Sequence, residues 1–125
     1  MVEDHIILAA LDGLAAAFNA HDIDAIMGFF AEDCSLDLPR GPDPHGSRYV
    51  GRDEVRRGLM TRFQTTPDVH YGEIENFAGD GLGMSKWLLT GTTLNGDKVR
   101  VRGCDFYTFQ GDKVTRKDSY WKIVA

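Results

Sequence analysis

Cysteine is scarce in this chain: Cys34 and Cys104 are the only two among 125 residues. They lie far apart and in no metal-ligand spacing, which gives neither a disulfide framework nor a zinc site, so both read as small buried hydrophobes. Positive charge is also in short supply, with 14 Lys and Arg against 19 Asp and Glu and a formal net charge of −5. Phosphate binding needs a basic surface, so nucleic acid and anionic membranes are excluded as expected partners. The basic residues Arg52, Arg56, Arg57 and Arg62 read as the solvated face of a helix. No apolar run approaches a membrane span of roughly 20 residues, and the opening "MVEDH" has no basic region followed by an apolar stretch. A cytoplasmic location is the expectation.

Chemistry-bearing motifs are missing as well. His5, His21, His45 and His70 are scattered without paired spacing, so no metal site is expected. There is no G-x-G-x-x-G, phosphate loop or nucleophile elbow, and any chemistry is expected to be cofactor-free. What the chain does have is an ordinary globular composition, 42% hydrophobic and 26% charged, enough for one domain over residues 1–125 to bury a core without staples.

The apolar pattern changes period along the chain. Ile7, Leu11, Leu14 and Phe18 recur at three- and four-residue steps from Glu3 to Phe18, which predicts an amphipathic helix. After "NAHD", Asp22 is a good N-cap for a short second helix through Ile23, Ile26, Met27, Phe29 and Phe30. "CSLDLP" reads as a brief strand stopped by Pro39, followed by the loop-like "RGPDPHGSRYVG", in which Ser47–Val50 can return as a hairpin partner. A third helix over roughly Arg52–Phe63 carries Val55, Leu59 and Phe63 on one stripe. From Val69 onward, "VHYGEIENF", "LGMSKWLLTGTTL", "KVRVRGCDFYTF" and "KVTRKDSYWKIV" read as strands separated by the turns "AGDG", "NGD" and "QGD". Helices first and a meander after imply an α+β domain with helices on one face of a curved antiparallel sheet.

In "VRVRGCDFYTF" the alternation puts Asp105 on the same face as Val99, Val101, Tyr107 and Phe109. A carboxylate there must be paired or neutralised. One reading makes it a functional carboxylic acid with a raised pKa. The other makes it structural, paired with Arg102 near a bulge at Gly103 or bonded to backbone N–H groups. Asp37 is turned by alternation away from Leu36 and Leu38, His45 lies in the Gly/Pro loop, and His70 is in phase with Ile74 and Asn76.

The segments "AAAFNAHDIDAIMGFFAEDCSLDLP" and "LTGTTLNGDKVRVRGCDFYTFQGDKVTRKDSYW", with Gly51 ahead of the third helix, carry a resemblance over almost the whole chain. It resembles the nuclear-transport-factor-2-like (NTF2-like) superfamily and, within it, the SnoaL-like proteins related to ketosteroid isomerases. The resemblance implies a cone: three N-terminal helices on a strongly curved antiparallel sheet, with an apolar pocket between them. Of the three ketosteroid isomerase residues, only the late-strand aspartic acid is matched, by Asp105; Leu38 stands at the base position and Leu14 at the oxyanion tyrosine position. Without those two groups, ketosteroid isomerase activity itself is not expected.

The resemblance and the alternation together nominate Asp105 as the catalytic candidate, with Leu14, Phe18, Leu38, Leu59, Phe63, Tyr107 and Trp121 as pocket walls. Tyr107 is chosen for its phase with Asp105, Trp121 for the bulky residue the family places on its final strand. Two functions follow. One is a cofactor-free isomerase, cyclase or dehydratase acting on a small hydrophobic molecule; the other is a non-catalytic ligand-binding or dimerisation module. A homodimer is expected from the family and from the apolar content on both faces of the late strands.

Overall fold

A computed structural model describes all residues, 1–125, as three helices and six strands. Helix α1 (Asp4–Asn19) buries Ile7, Leu11, Leu14 and Phe18, the stripe its periodicity predicts. Helix α2 (Ile23–Met27) is capped by Asp22, whose carboxylate accepts from the Ala25 backbone N–H at 3.1 Å. It stops short of Phe30, where the chain passes into the first strand. The Phe29 carbonyl accepts from Val114 N at 2.8 Å, and that of Phe30 from Arg52 Nη1 at 2.6 Å.

Strand β1 (Phe30–Asp43) does not end at Pro39 as expected. Its pairing with β2 (Gly46–Val50) is irregular between Leu38 and Asp43, and its ladder with β6 (Lys113–Trp121) runs only to Asp37. Proline's missing N–H therefore falls where no ladder bond is required. The Gly/Pro loop becomes the tip of this hairpin. Gly46 closes it at φ +80°, where an added Cβ would lie 1.8 Å from the Leu38 carbonyl oxygen, so only glycine fits.

Helix α3 (Arg52–Thr65) leads into the meander β3 (His70–Gly79), β4 (Leu82–Thr92), β5 (Lys98–Gln110) and β6. The six strands form one curved, unclosed sheet in the order β2-β1-β6-β5-β4-β3. The sheet is antiparallel, as expected, except that β1 and β6 pair parallel. These strands come from opposite ends of the chain, so no hairpin dictates their relative direction.

Two apolar clusters fill the concave side. The larger joins the helices to Phe30, Leu36, Tyr107 and Val114, and the smaller comprises Val69, Trp87, Leu89 and Val101. Phe63 and Tyr71 pack against both. Ser85, Asp105, Lys117 and Ser119 are buried polar side chains on the neighbouring strands β4, β5 and β6.

Candidate functional site

The register of the meander decides what faces inward. Ser85 pairs with Asp105 and Asp105 with Ser119, while Tyr107 pairs with Lys117 and Lys117 with Leu36. Residues that pair directly across strands share a face, so Asp105, Tyr107, Ser85, Ser119, Lys117 and Leu36 all face the helices. Pairing of β4 with β5 is unbroken at Gly103, so there is no bulge there. Gly103 instead makes room for an indole: an added Cβ would lie 2.5 Å from Cη2 of Trp87, its direct cross-strand partner.

Asp105 is buried, at 5% exposure. Trp87 Nε1 donates to its Oδ2 at 2.9 Å, Lys117 Nζ donates to its Oδ1 at 3.1 Å, and the Ser119 hydroxyl donates to the same Oδ1. Lys117 Nζ also donates to Ser119 Oγ at 2.8 Å and lies 5.5 Å from the Phe18 ring centroid. An indole N–H and an ammonium can only donate, so both oxygens of Asp105 act as acceptors. Its ionic partner is Lys117. Arg102, the partner considered from sequence, reaches Glu73 at 2.9 Å instead.

Two small cavities, each of about 20 Å³, adjoin this pair. That is room for about one water molecule each. Phe18, Tyr71, Trp87, Asp105 and Lys117 line both. Leu14 and Tyr107 belong to the first, and Leu38, Leu59 and Trp121 to the second. Phe63 lines neither; it stands behind the wall, with ring centroids 6.4 Å from Phe18 and 4.9 Å from His21. A ligand larger than water needs more room than either cavity holds by itself.

The phenols of the site are neutral donors at neutral pH. Burial, with the charge of Asp105 added, pushes the Tyr107 hydroxyl well above the ordinary tyrosine value. Burial also pushes Tyr71 up, with the positive charge of Arg62 opposing it. Tyr71 is held by Asn19, which accepts from its N–H at 2.8 Å and donates to its carbonyl at 3.0 Å.

Sequence reasoning missed Lys117, Ser119, Tyr71 and Arg62, and passed over Trp87 when choosing pocket-facing aromatics. For two of them the signal was present. Counting back by twos from Trp121 reaches Ser119 and Lys117, but Lys117 sits in the charged run "TRKD".

Other candidates fall outside. Asp37 is fully buried on the opposite, convex face, bound by Arg48 Nε at 2.7 Å and Nη2 at 3.0 Å and by Arg116 Nη2 at 2.9 Å. Those hydrogen bonds, Arg48's first, hold its carboxyl below the usual carboxylate range. His45 is at the hairpin tip, 3.9 Å from the Asp43 carboxylate, and His70 is exposed at the start of β3. No three His, Cys, Asp or Glu side chains converge as a metal site would require.

A cone with its polar groups turned inward onto an apolar-walled site defines a class, the NTF2-like α+β proteins. Residues 11–117 match the model of the SnoaL-like domain, and the chain belongs to that family. No curated protein sequence matches it. Among solved structures, a candidate polyketide cyclase from Xanthomonas campestris pv. campestris superposes with a TM-score of 0.82 at 22% identity, over 94% of this chain and 91% of that one. An NTF2-like protein from Burkholderia xenovorans LB400 gives 0.80 at 18% identity, over 98% and 93%. A candidate isomerase from Bacillus subtilis gives 0.80 at 12%, over 94% and 87%. At these identities the likeness is one of fold.

Proposed function

We propose that this SnoaL-like protein is a cofactor-free isomerase, cyclase or dehydratase for a small, mostly apolar molecule bearing a carbonyl or hydroxyl, with Asp105 as the group that takes and returns a proton. The observation that carries this reading is the burial of Asp105 and Lys117 together on a wall shared by two cavities whose remaining lining is largely apolar. A carboxylate at such a wall can accept a proton α to a carbonyl, while the ammonium and neutral phenols supply donors for the oxygen that gains charge. The cyclase and isomerase designations of similar folds support the reaction class.

The test is exchange of the α-protons of 2-tetralone in D2O, followed by NMR. Asp105→Asn alone would strand Lys117, so the comparison is with Asp105→Asn/Lys117→Met, which removes both charges at similar volume. Exchange accelerated by the wild type and reduced to the buffer rate in the double variant supports the reading. Equal, buffer-level exchange in both leaves the non-catalytic binding module in its place.

We also propose that the protein works as a homodimer through the convex face. Phe77 pairs with Met84 and Met84 with Phe106, and Tyr120 packs edge-on against Phe106 with centroids 5.6 Å apart. Phe77, Phe106 and Tyr120 are 47%, 47% and 55% exposed, an apolar patch that suits a partner surface. A cytoplasmic setting goes with this proposal, because both thiols are free and suit a reducing compartment.

A further inference from the structure

Arg62 does not behave like the other arginines of α3. Arg52 reaches Glu32, Arg56 reaches Asp24, and Arg57 reaches Glu54. Arg62 is half-buried, has no carboxylate within 4 Å, and is the only half-buried arginine of which this is true. Its guanidinium lies over Trp121, 4.2 Å from the ring centroid, and lines the second cavity. The stacked ring holds the planar fork in place, and the fork offers five N–H donors in fixed directions.

The charge balance of the lining is the second observation. Across both cavities the ionisable lining groups with a formal charge at neutral pH are Asp105, Lys117 and Arg62. Asp105 and Lys117 neutralise each other at 3.1 Å. One positive charge is left over, inside a chain whose net charge is −5. A half-desolvated cation without a counter-ion favours an anionic occupant, and a bidentate arginine is best matched by a planar oxyanion.

We propose that the ligand is a small hydrophobic acid whose carboxylate, or equally delocalised enolate or phenolate, docks on Arg62 at the Trp121 side of the site. This rests on the pocket reading above and adds the substrate class to it. Arg62 then orients the molecule by its anionic end, its apolar body lies against Phe18 and Leu59, and the opposite end is presented to Asp105. Arg62 is a binding residue here and takes no part in proton transfer.

Benzoate and benzamide test the charge, since they differ little in shape, and phenol at pH 7 and pH 11 separates a phenolate from a carboxylate. Binding is read by ligand-observed NMR and by tryptophan fluorescence. The wild type is expected to prefer benzoate over benzamide by about tenfold or more. Arg62→Met should lose that preference while keeping the benzamide affinity, and Arg62→Lys should restore it in part. A gain in phenol affinity at pH 11 that Arg62→Met abolishes extends the class to phenolates, and no gain confines it to carboxylates. Equal binding of benzoate and benzamide by the wild type overturns the anion proposal and leaves the pocket standing. If neither probe binds a protein whose melting curve shows it folded, the pocket reading falls with it.

Discussion

Lys117 Nζ lies 3.1 Å from Oδ1 of Asp105, and each of these side chains is 7% exposed. Removing one member of such a pair leaves a buried charge without a partner, at a cost of about 3–5 kcal/mol. Lys117→Met is therefore expected to destabilise the fold by that order. Asp105→Asn/Lys117→Met should recover most of the loss. Urea denaturation of wild type, single and double variants measures the coupling directly, and additive losses would show that the two groups do not act as a pair.

Trp87 reaches Asp105 only because Gly103 has no side chain. A Cβ at position 103 would meet Cη2 of Trp87 and the Tyr120 carbonyl oxygen, each at 2.5 Å. Gly103→Ala is expected to cost about 1–3 kcal/mol as an overpacked site, and to move the Trp87 indole N–H resonance as its bond to Asp105 is disturbed. Gly79→Ala is the control, because a Cβ added there would meet nothing within 4 Å. It should stay within about 0.5 kcal/mol of wild type.

Acid stability has a separate origin on the convex face. Asp37 titrates below the ordinary carboxylate value of 3.8 when folded, because Arg48 and Arg116 bond its charged form. As pH falls through 3.8 the unfolded chain takes up the proton first. The contribution of Asp37 is thus complete above that pH and is lost progressively as pH drops through the lower, folded value. Asp37→Asn is expected to cost about 2 kcal/mol at pH 7, with the gap from wild type closing as pH falls below 3.8. Denaturation curves at several pH values check the sign, and a gap that widens on acidification would contradict it.

The inward face of Asp105 was legible because β4, β5 and β6 keep an even register around it, so counting by twos gives the right answer. The same count fails when started from Val114. The register shifts between Thr108 and Phe109 of β5, which pair with Arg116 and Val114, leaving Thr115 as an extra residue on β6. That bulge switches the buried face from Val114 to Lys117 and Ser119. Arg62 follows Val55 and Leu59 on the same helical stripe, by steps of four and three, yet its residue type groups it with the solvated Arg56 and Arg57. Pro39 misled for the opposite reason, since a rule about ladder bonds says nothing where no such bond is made. Periodicity carries the fold, whereas bulges and charge pairing, which depend on strands distant in the chain, decide the site.

Oligomeric state tests the convex face. Phe77, Met84 and Phe106 occupy directly paired positions on β3, β4 and β5, and Tyr120, diagonal to Phe106 on β6, packs edge-on against it. Phe106 is opposite Asp118 on β6, so Phe106→Lys places a positive charge beside a negative one and should leave the monomer's stability within about 0.5 kcal/mol, as for an ordinary surface change. At a dimer interface the same substitution buries a charge at the centre of an apolar patch. A central aromatic residue there contributes about 2 kcal/mol or more, so the dimer dissociation constant is expected to rise by about thirtyfold or more. Sedimentation velocity from about 1 to about 100 μM protein resolves a shift of that size. A wild type that sediments as a monomer throughout this range would remove the dimer proposal. A wild-type dimer that Phe106→Lys leaves intact would move the interface to another surface.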